Sequence, residues 1–219
     1  MTSTSAVAAS RRTTPSLGGS MAYLLLNFPL GIASFVFVVT LTSTGLATSI
    51  VWIGLPILAL MVLTVRGWGR VERARIYAML DVAIPAPYRP LPFGAVRERW
   101  KARLGDGTTW RDLAYFFLLF PLGVFEFVLV VAFWATSLAL VGLPVYYRYL
   151  PDGAYFFPAY NVRWLTVDST LSALPWAALG VVCVALSIAL TKGLAGMHVR
   201  FAKSLLGPTS ATRQYAVTG

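Results

Sequence analysis

Apolar runs too long for a soluble core constrain this chain before anything else does. Residues 22–41, 46–65, 113–145 and 171–190 are nearly uninterrupted apolar sequence, and a helix crossing a bilayer needs about 20 such residues. Only 12% of the residues are charged, against about 25% in a typical soluble domain, so lipid must cover much of the surface. Backbone that faces lipid must satisfy its own hydrogen bonds, which makes each run a helix. The expectation is an all-α membrane protein with four transmembrane helices. The first two runs are joined by a short uncharged connection and form an antiparallel hairpin.

The polar segments set the orientation. The net charge is +10, and the cations crowd into two places. Segment 66–112 holds Arg66, Arg70, Arg73, Arg75, Arg89, Arg97, Arg99, Lys101, Arg103 and Arg111, while Lys192, Arg200, Lys203 and Arg213 follow the last run. The first connection has none, and the loop 146–170 balances Arg148 and Arg163 with Asp152 and Asp168. Lys and Arg collect on the cytoplasmic side, so the pattern predicts a multi-pass cell-membrane protein with both termini in the cytoplasm. Cations placed between apolar runs point to anionic lipid headgroups rather than to nucleic acid. Residues 1–20 read as a disordered tail leading into an uncleaved first helix, and 208–219 as a second tail.

Within the central segment, residues 69–81 suggest an amphipathic helix at the membrane interface. Pro85, Pro87, Pro90 and Pro92 then interrupt regular structure before a second basic stretch from Arg97 to Arg103.

The chain also repeats itself. Ala22-Tyr23 and Phe28-Pro29-Leu30-Gly31 recur 92 positions later as Ala114-Tyr115 and Phe120-Pro121-Leu122-Gly123. Gly54-Leu55-Pro56 recurs as Gly142-Leu143-Pro144, and Arg66-Gly67 with its basic sequel resembles Lys192-Gly193 and the stretch to Leu206. Each half crosses twice and starts on the same side, so these are two parallel-repeat helical hairpins. Repeat 1 covers about 21–81, a cytoplasmic linker 82–109, and repeat 2 about 110–207 with an outer loop at 146–170. In the first copy the Gly-Leu-Pro tripeptide falls inside the second helix; in the second it precedes the long loop. Residues 134–149 are therefore either a helical extension or a half-membrane, re-entrant segment.

Trp110-Arg111-Asp112-Leu113-Ala114-Tyr115 with Phe120-Pro121-Leu122-Gly123, the paired Gly-Leu-Pro tripeptides, and Arg66-Gly67 with Val71-Glu72-Arg73 together resemble the "putative sensor" domain of actinobacterial-type sensor histidine kinases. The resemblance spans about residues 21–207. It implies sensing, a homodimer as in the kinase relatives, and no catalytic residue to carry over. Nothing like a phosphoacceptor helix or a nucleotide-binding domain follows Gly207, and His198 is followed by Val199-Arg200 rather than by an acidic residue. The expectation is a stand-alone sensor or signalling accessory protein that passes a stimulus to a cytoplasmic signalling protein.

Glu126 is the most informative single residue, because a charge deep in an apolar run is expensive. It either binds a cation, a proton or a polar ligand, or is a protonated carboxyl bonded to a neighbouring helix. The outer loop concentrates aromatics with charges, and Arg148, Tyr155, Trp164 and Asp168 are its candidate sensing residues. The alternative there is an interfacial aromatic belt. Pro56 and Pro144 are candidate pivots, since proline inside a helix removes a hydrogen bond. Arg70, Arg73 and Arg75 are candidates for docking anionic lipid or a partner.

The lone cysteine, Cys183, excludes an intrachain disulfide and reads as a packing residue. The sequence holds no phosphate-binding Gly-Lys-Ser/Thr loop, no His-Glu-x-x-His motif and no Gly-x-Ser-x-Gly elbow, so no enzyme, metal or cofactor is expected. A small transporter using Glu126 and an intramembrane lipid-modifying enzyme are the alternatives to sensing.

Overall fold

The computed structural model describes residues 15–88, 95–159 and 162–208, without the side chains of residues 151, 158–159 and 162–163. The expected tails fall largely outside these residues, as do Pro90 and Pro92. The protein is an all-α membrane protein. Four helices are long and apolar enough to cross a bilayer: α1 (Leu17–Ala47), α2 (Gly54–Leu80), α4 (Gly107–Tyr146) and α5 (Thr170–Leu206). A shorter helix, α3 (Val96–Leu104), lies between α2 and α4, and strands β1 (Tyr155–Ala159) and β2 (Val162–Val167) lie between α4 and α5.

Three boundaries differ from the sequence expectation. The helix begins at Leu17 because Ser16 caps it, its hydroxyl accepting from the Gly19 amide. Residues 69–80, expected as a separate interfacial helix, are instead the end of α2, which runs unbroken from apolar to basic sequence. Its buried positions, Val65, Gly69, Glu72, Arg73, Ile76 and Leu80, keep the three-to-four spacing of one helix face. Asp81 then ends it in the left-handed conformation. The third correction concerns Gly54-Leu55-Pro56, which opens α2 rather than lying within it. Pro56 therefore stands in the first turn, where its missing N–H breaks no hydrogen bond. Pro144 does lie inside α4, near its end. Residues 134–146 are a helical extension of α4, and a short 3₁₀ turn, Tyr147–Tyr149, follows.

The expected outer loop contains an antiparallel hairpin. Its aromatic and β-branched residues favour strand, and Tyr155 pairs with Val167 and Phe157 with Leu165. The register shifts between Phe157 and Pro158, where proline cannot donate to the ladder.

The chain forms two compact units. One comprises the described parts of Met1–Tyr23, Thr40–Tyr115 and His198–Gly219; the other comprises Leu24–Val39 and Phe116–Met197. In the second unit the sequence repeat reappears as reciprocal contacts between α1 and α4. Phe28 stacks on Phe127 at 4.6 Å, and the repeat-related pair, Phe120 and Phe35, meets at 4.9 Å. A Cβ on Gly31 would lie 2.9 Å from the Leu119 carbonyl oxygen, and one on Gly123 would lie 2.6 Å from that of Asn27. Only glycine permits this approach, the small-residue packing by which helices associate in lipid. The Phe-Pro-Leu-Gly motifs are thus the packing surface itself.

A buried polar cluster joining four helices

In the first unit, the starts of α1 and α4 and the ends of α2 and α5 place four polar side chains together. Tyr23, Glu72, Tyr115 and His198 are all buried. Glu72 Oε1 accepts hydrogen bonds from Tyr23 Oη at 2.8 Å and from Tyr115 Oη at 2.9 Å. Arg75 closes on the same carboxylate, with Nη2 2.7 Å from Oε1 and Nε 3.0 Å from Oε2. A buried carboxylate is tolerable only with such charge-assisted partners. His198 Nε2 lies 3.0 Å from Tyr115 Oη. A tyrosine has one hydroxyl hydrogen; with that hydrogen donated to Glu72, the bond to His198 requires the hydrogen to sit on Nε2.

The cluster follows the repeat. Tyr23 and Tyr115 are 92 positions apart, whereas Glu72 and His198 share the 126-position offset of Arg66 and Lys192. The supporting residues obey the same relation. The Arg75 guanidinium lies 4.4 Å over the Tyr23 ring, and its equivalent, Phe201, stacks on Tyr115 at 5.3 Å. The His198 ring meets Tyr23 edge-on at 5.1 Å.

A second network in the same unit pins the segment after α2. Tyr88 donates to Asp112 Oδ2 at 2.6 Å and accepts from Arg73 Nη2 at 3.0 Å. The Arg66 and Arg73 guanidinium groups lie 4.5 and 4.9 Å from the centre of its ring. Burial, reinforced by the Asp112 carboxylate and opposed by Arg73, pushes the Tyr88 phenol up to about 12. Arg66 also pairs with Asp106 at 3.2 Å and donates to Thr109, while Arg73 reaches the Leu206 carbonyl and Arg111 the Ser204 carbonyl. These bonds tie α2, the following segment, the start of α4 and the end of α5.

The "putative sensor" family model matches residues 23–206. The chain belongs to this sensor family. No curated protein and no solved structure matches it. The match begins at Tyr23 and ends at Leu206, so all four members of the buried cluster lie inside the sensor domain.

The sensor domain distributes the residues singled out from sequence differently from the expectation. Glu126 is fully buried in the second unit, where Asn27 Nδ2 donates to its Oε2 at 2.7 Å. Arg73 and Arg75 turn inward and are engaged as described, so of the expected docking trio only Arg70 is exposed. In the hairpin region Arg148, Trp164 and Asp168 are exposed, whereas Tyr155 joins an aromatic group around buried Leu143, Val167 and Ala173. Within that group Phe157 stacks on Trp176 at 4.0 Å. Sequence reasoning missed the Tyr-Glu-Tyr-His cluster, although the repeat offsets that align Glu72 with His198 were in view.

Proposed function

We propose that the protein is a membrane sensor in which the Glu72 cluster is a latch. With both termini cytoplasmic, a stimulus at the outer hairpin or in the bilayer displaces α4 and α5 relative to α1 and α2. The displacement parts Tyr115 from Glu72 and loosens the Tyr88 network, and a cytoplasmic signalling partner reads the freed basic segment. One observation carries this reading: a single buried carboxylate takes hydrogens from tyrosines on α1 and α4, and the second tyrosine meets histidine from α5. Helix α5 is continuous from Thr170, just after the hairpin, through His198.

The test is quantitative crosslinking in native membranes followed by affinity purification, comparing wild type with Tyr23→Phe and Tyr115→Phe. The proposal expects a kinase, regulator or transcription factor crosslinked through residues 66–112, with its yield changed by both variants. Equal yields from correctly inserted variants, or recovery of lipid and self-crosslinks alone, would sink it. A transporter reading rests on Glu126 and predicts a flux abolished by Glu126→Gln.

A further inference from the structure

Helix α3 has no buried residue, although it carries large apolar side chains. Val96 is 70% exposed and Leu104 48%. At 3.6 residues per turn, Val96, Trp100 and Leu104 form one stripe, because they are spaced four apart. Arg97 and Lys101 flank that stripe on one side, and Arg99 and Arg103 on the other. The only acid, Glu98, falls on the opposite face. Trp110, 57% exposed, extends the apolar surface by donating from Nε1 to the Leu104 carbonyl at 3.0 Å.

We infer that α3 lies on the surface of an anionic bilayer, its apolar stripe at the acyl boundary and its four cations among headgroup phosphates. The inference is independent of the latch. A ridge of apolar residues with cations on both flanks fits a plane of negative headgroups, into which Arg and Lys stems extend sideways. Charge complementarity is strong, four cations against one acid. The tether also favours lipid: only residues 105–112 separate Leu104 from Leu113, where a bilayer-length apolar run begins. Anionic surface is therefore within reach without recruiting a partner. The assignment moves lipid docking from Arg73 and Arg75, which are engaged inside the fold, to a helix that the described residues leave without a buried side chain.

The test uses full-length protein in a Cys183→Ser background with spin labels at Val96→Cys, Leu104→Cys or Glu98→Cys. Each is reconstituted in nanodiscs of phosphatidylcholine, alone or mixed with phosphatidylglycerol. In the anionic discs, labels at 96 and 104 become accessible to oxygen and shielded from a nickel chelate, while the label at 98 stays nickel-accessible. The contrast is lost in neutral discs, and also when Arg97, Arg99, Lys101 and Arg103 are all changed to Gln. These residues are exposed or only half-buried, so circular dichroism should show an unaltered fold. Equal nickel accessibility at all three positions in anionic discs would overturn the inference. So would shielding that appears only in native membranes, which would assign the face to a protein.

Discussion

Replacing Glu72 with alanine removes one acceptor from three donors at once. Tyr23 and Tyr115 lose their bonds at 2.8 and 2.9 Å, and Arg75 loses its ion pair at 2.7 Å. Glu72 is 5% exposed and the Arg75 side chain 10%, so water cannot readily replace the carboxylate. A hydrogen bond to a charged group contributes about 1.5–3 kcal/mol, and stranding one partner of a buried ion pair costs about 3–5 kcal/mol. The three interactions share one group and do not add, so the expected loss for Glu72→Ala is about 3–5 kcal/mol. Glu72→Gln removes the ion pair but keeps a carbonyl acceptor for the donors, and should lose less, about 2 kcal/mol. The pair Glu72→Gln with Arg75→Gln removes both charges and should lose less than the sum of its single changes. Unfolding of purified protein in mixed micelles by increasing dodecyl sulfate, followed by circular dichroism, measures all four. A Glu72→Ala variant within about 1 kcal/mol of wild type, or additive losses in the Gln pair, would refute the reasoning.

Four further outcomes follow from the geometry. Gly123→Val should cost about 1–3 kcal/mol in the same assay by forcing α1 from α4, whereas Gly67→Ala, with nothing within 4 Å of the new Cβ, should cost nothing. Tyr88 is held neutral up to about 12 against its ordinary 10.0, so its contribution to stability is complete below pH 10 and is lost as pH rises towards 12. Tyr88→Phe should flatten that alkaline loss while lowering stability at neutral pH by about 1 kcal/mol. Phe157→Ala removes the stack on Trp176 and should expose residues 150–169 to limited proteolysis while the rest of the chain stays resistant. Exchanging Glu72 and His198 in one variant should restore part of the stability that either single exchange loses.

The spans were legible because lipid imposes a length and a composition that few alternatives mimic. The repeat was legible for a physical reason too. Phe28, Gly31, Phe120 and Gly123 make reciprocal contacts, and duplicated contacts preserve spacing. What stayed hidden was the fate of charge. Arg73, Arg75 and Glu72 resemble a solvated helix face in one dimension, and become interior only when Tyr23, Tyr88 and Tyr115 arrive from distant sequence. Glu126 stood out as costly, but its partner Asn27 lies 99 positions away, beyond any local pattern. The hairpin escaped because its Tyr and Phe run fits an interfacial belt as well as a strand, and long-range pairing decides between them.

The departures from the repeat occur where strict symmetry would leave polar groups unsatisfied. Two carboxylates at positions 72 and 198 would bring like charges to the same pair of tyrosines in a buried site, and one of them would have to neutralise. Two histidines would offer no carboxylate to accept both tyrosine hydrogens and the Arg75 charge. One of each resolves the conflict: Glu72 accepts from both tyrosines and Arg75, and His198 meets the hydroxyl of Tyr115. The same logic assigns the neighbours, since the copy with the carboxylate carries Arg75 whereas the copy with the imidazole carries Phe201. The duplicated apolar contacts hold equivalent helices alike, so a bias between them must come from the unlike polar residues. Any displacement that separates α4 from α2 lengthens the Tyr115–Glu72 bond, and burial leaves solvent little access to replace it.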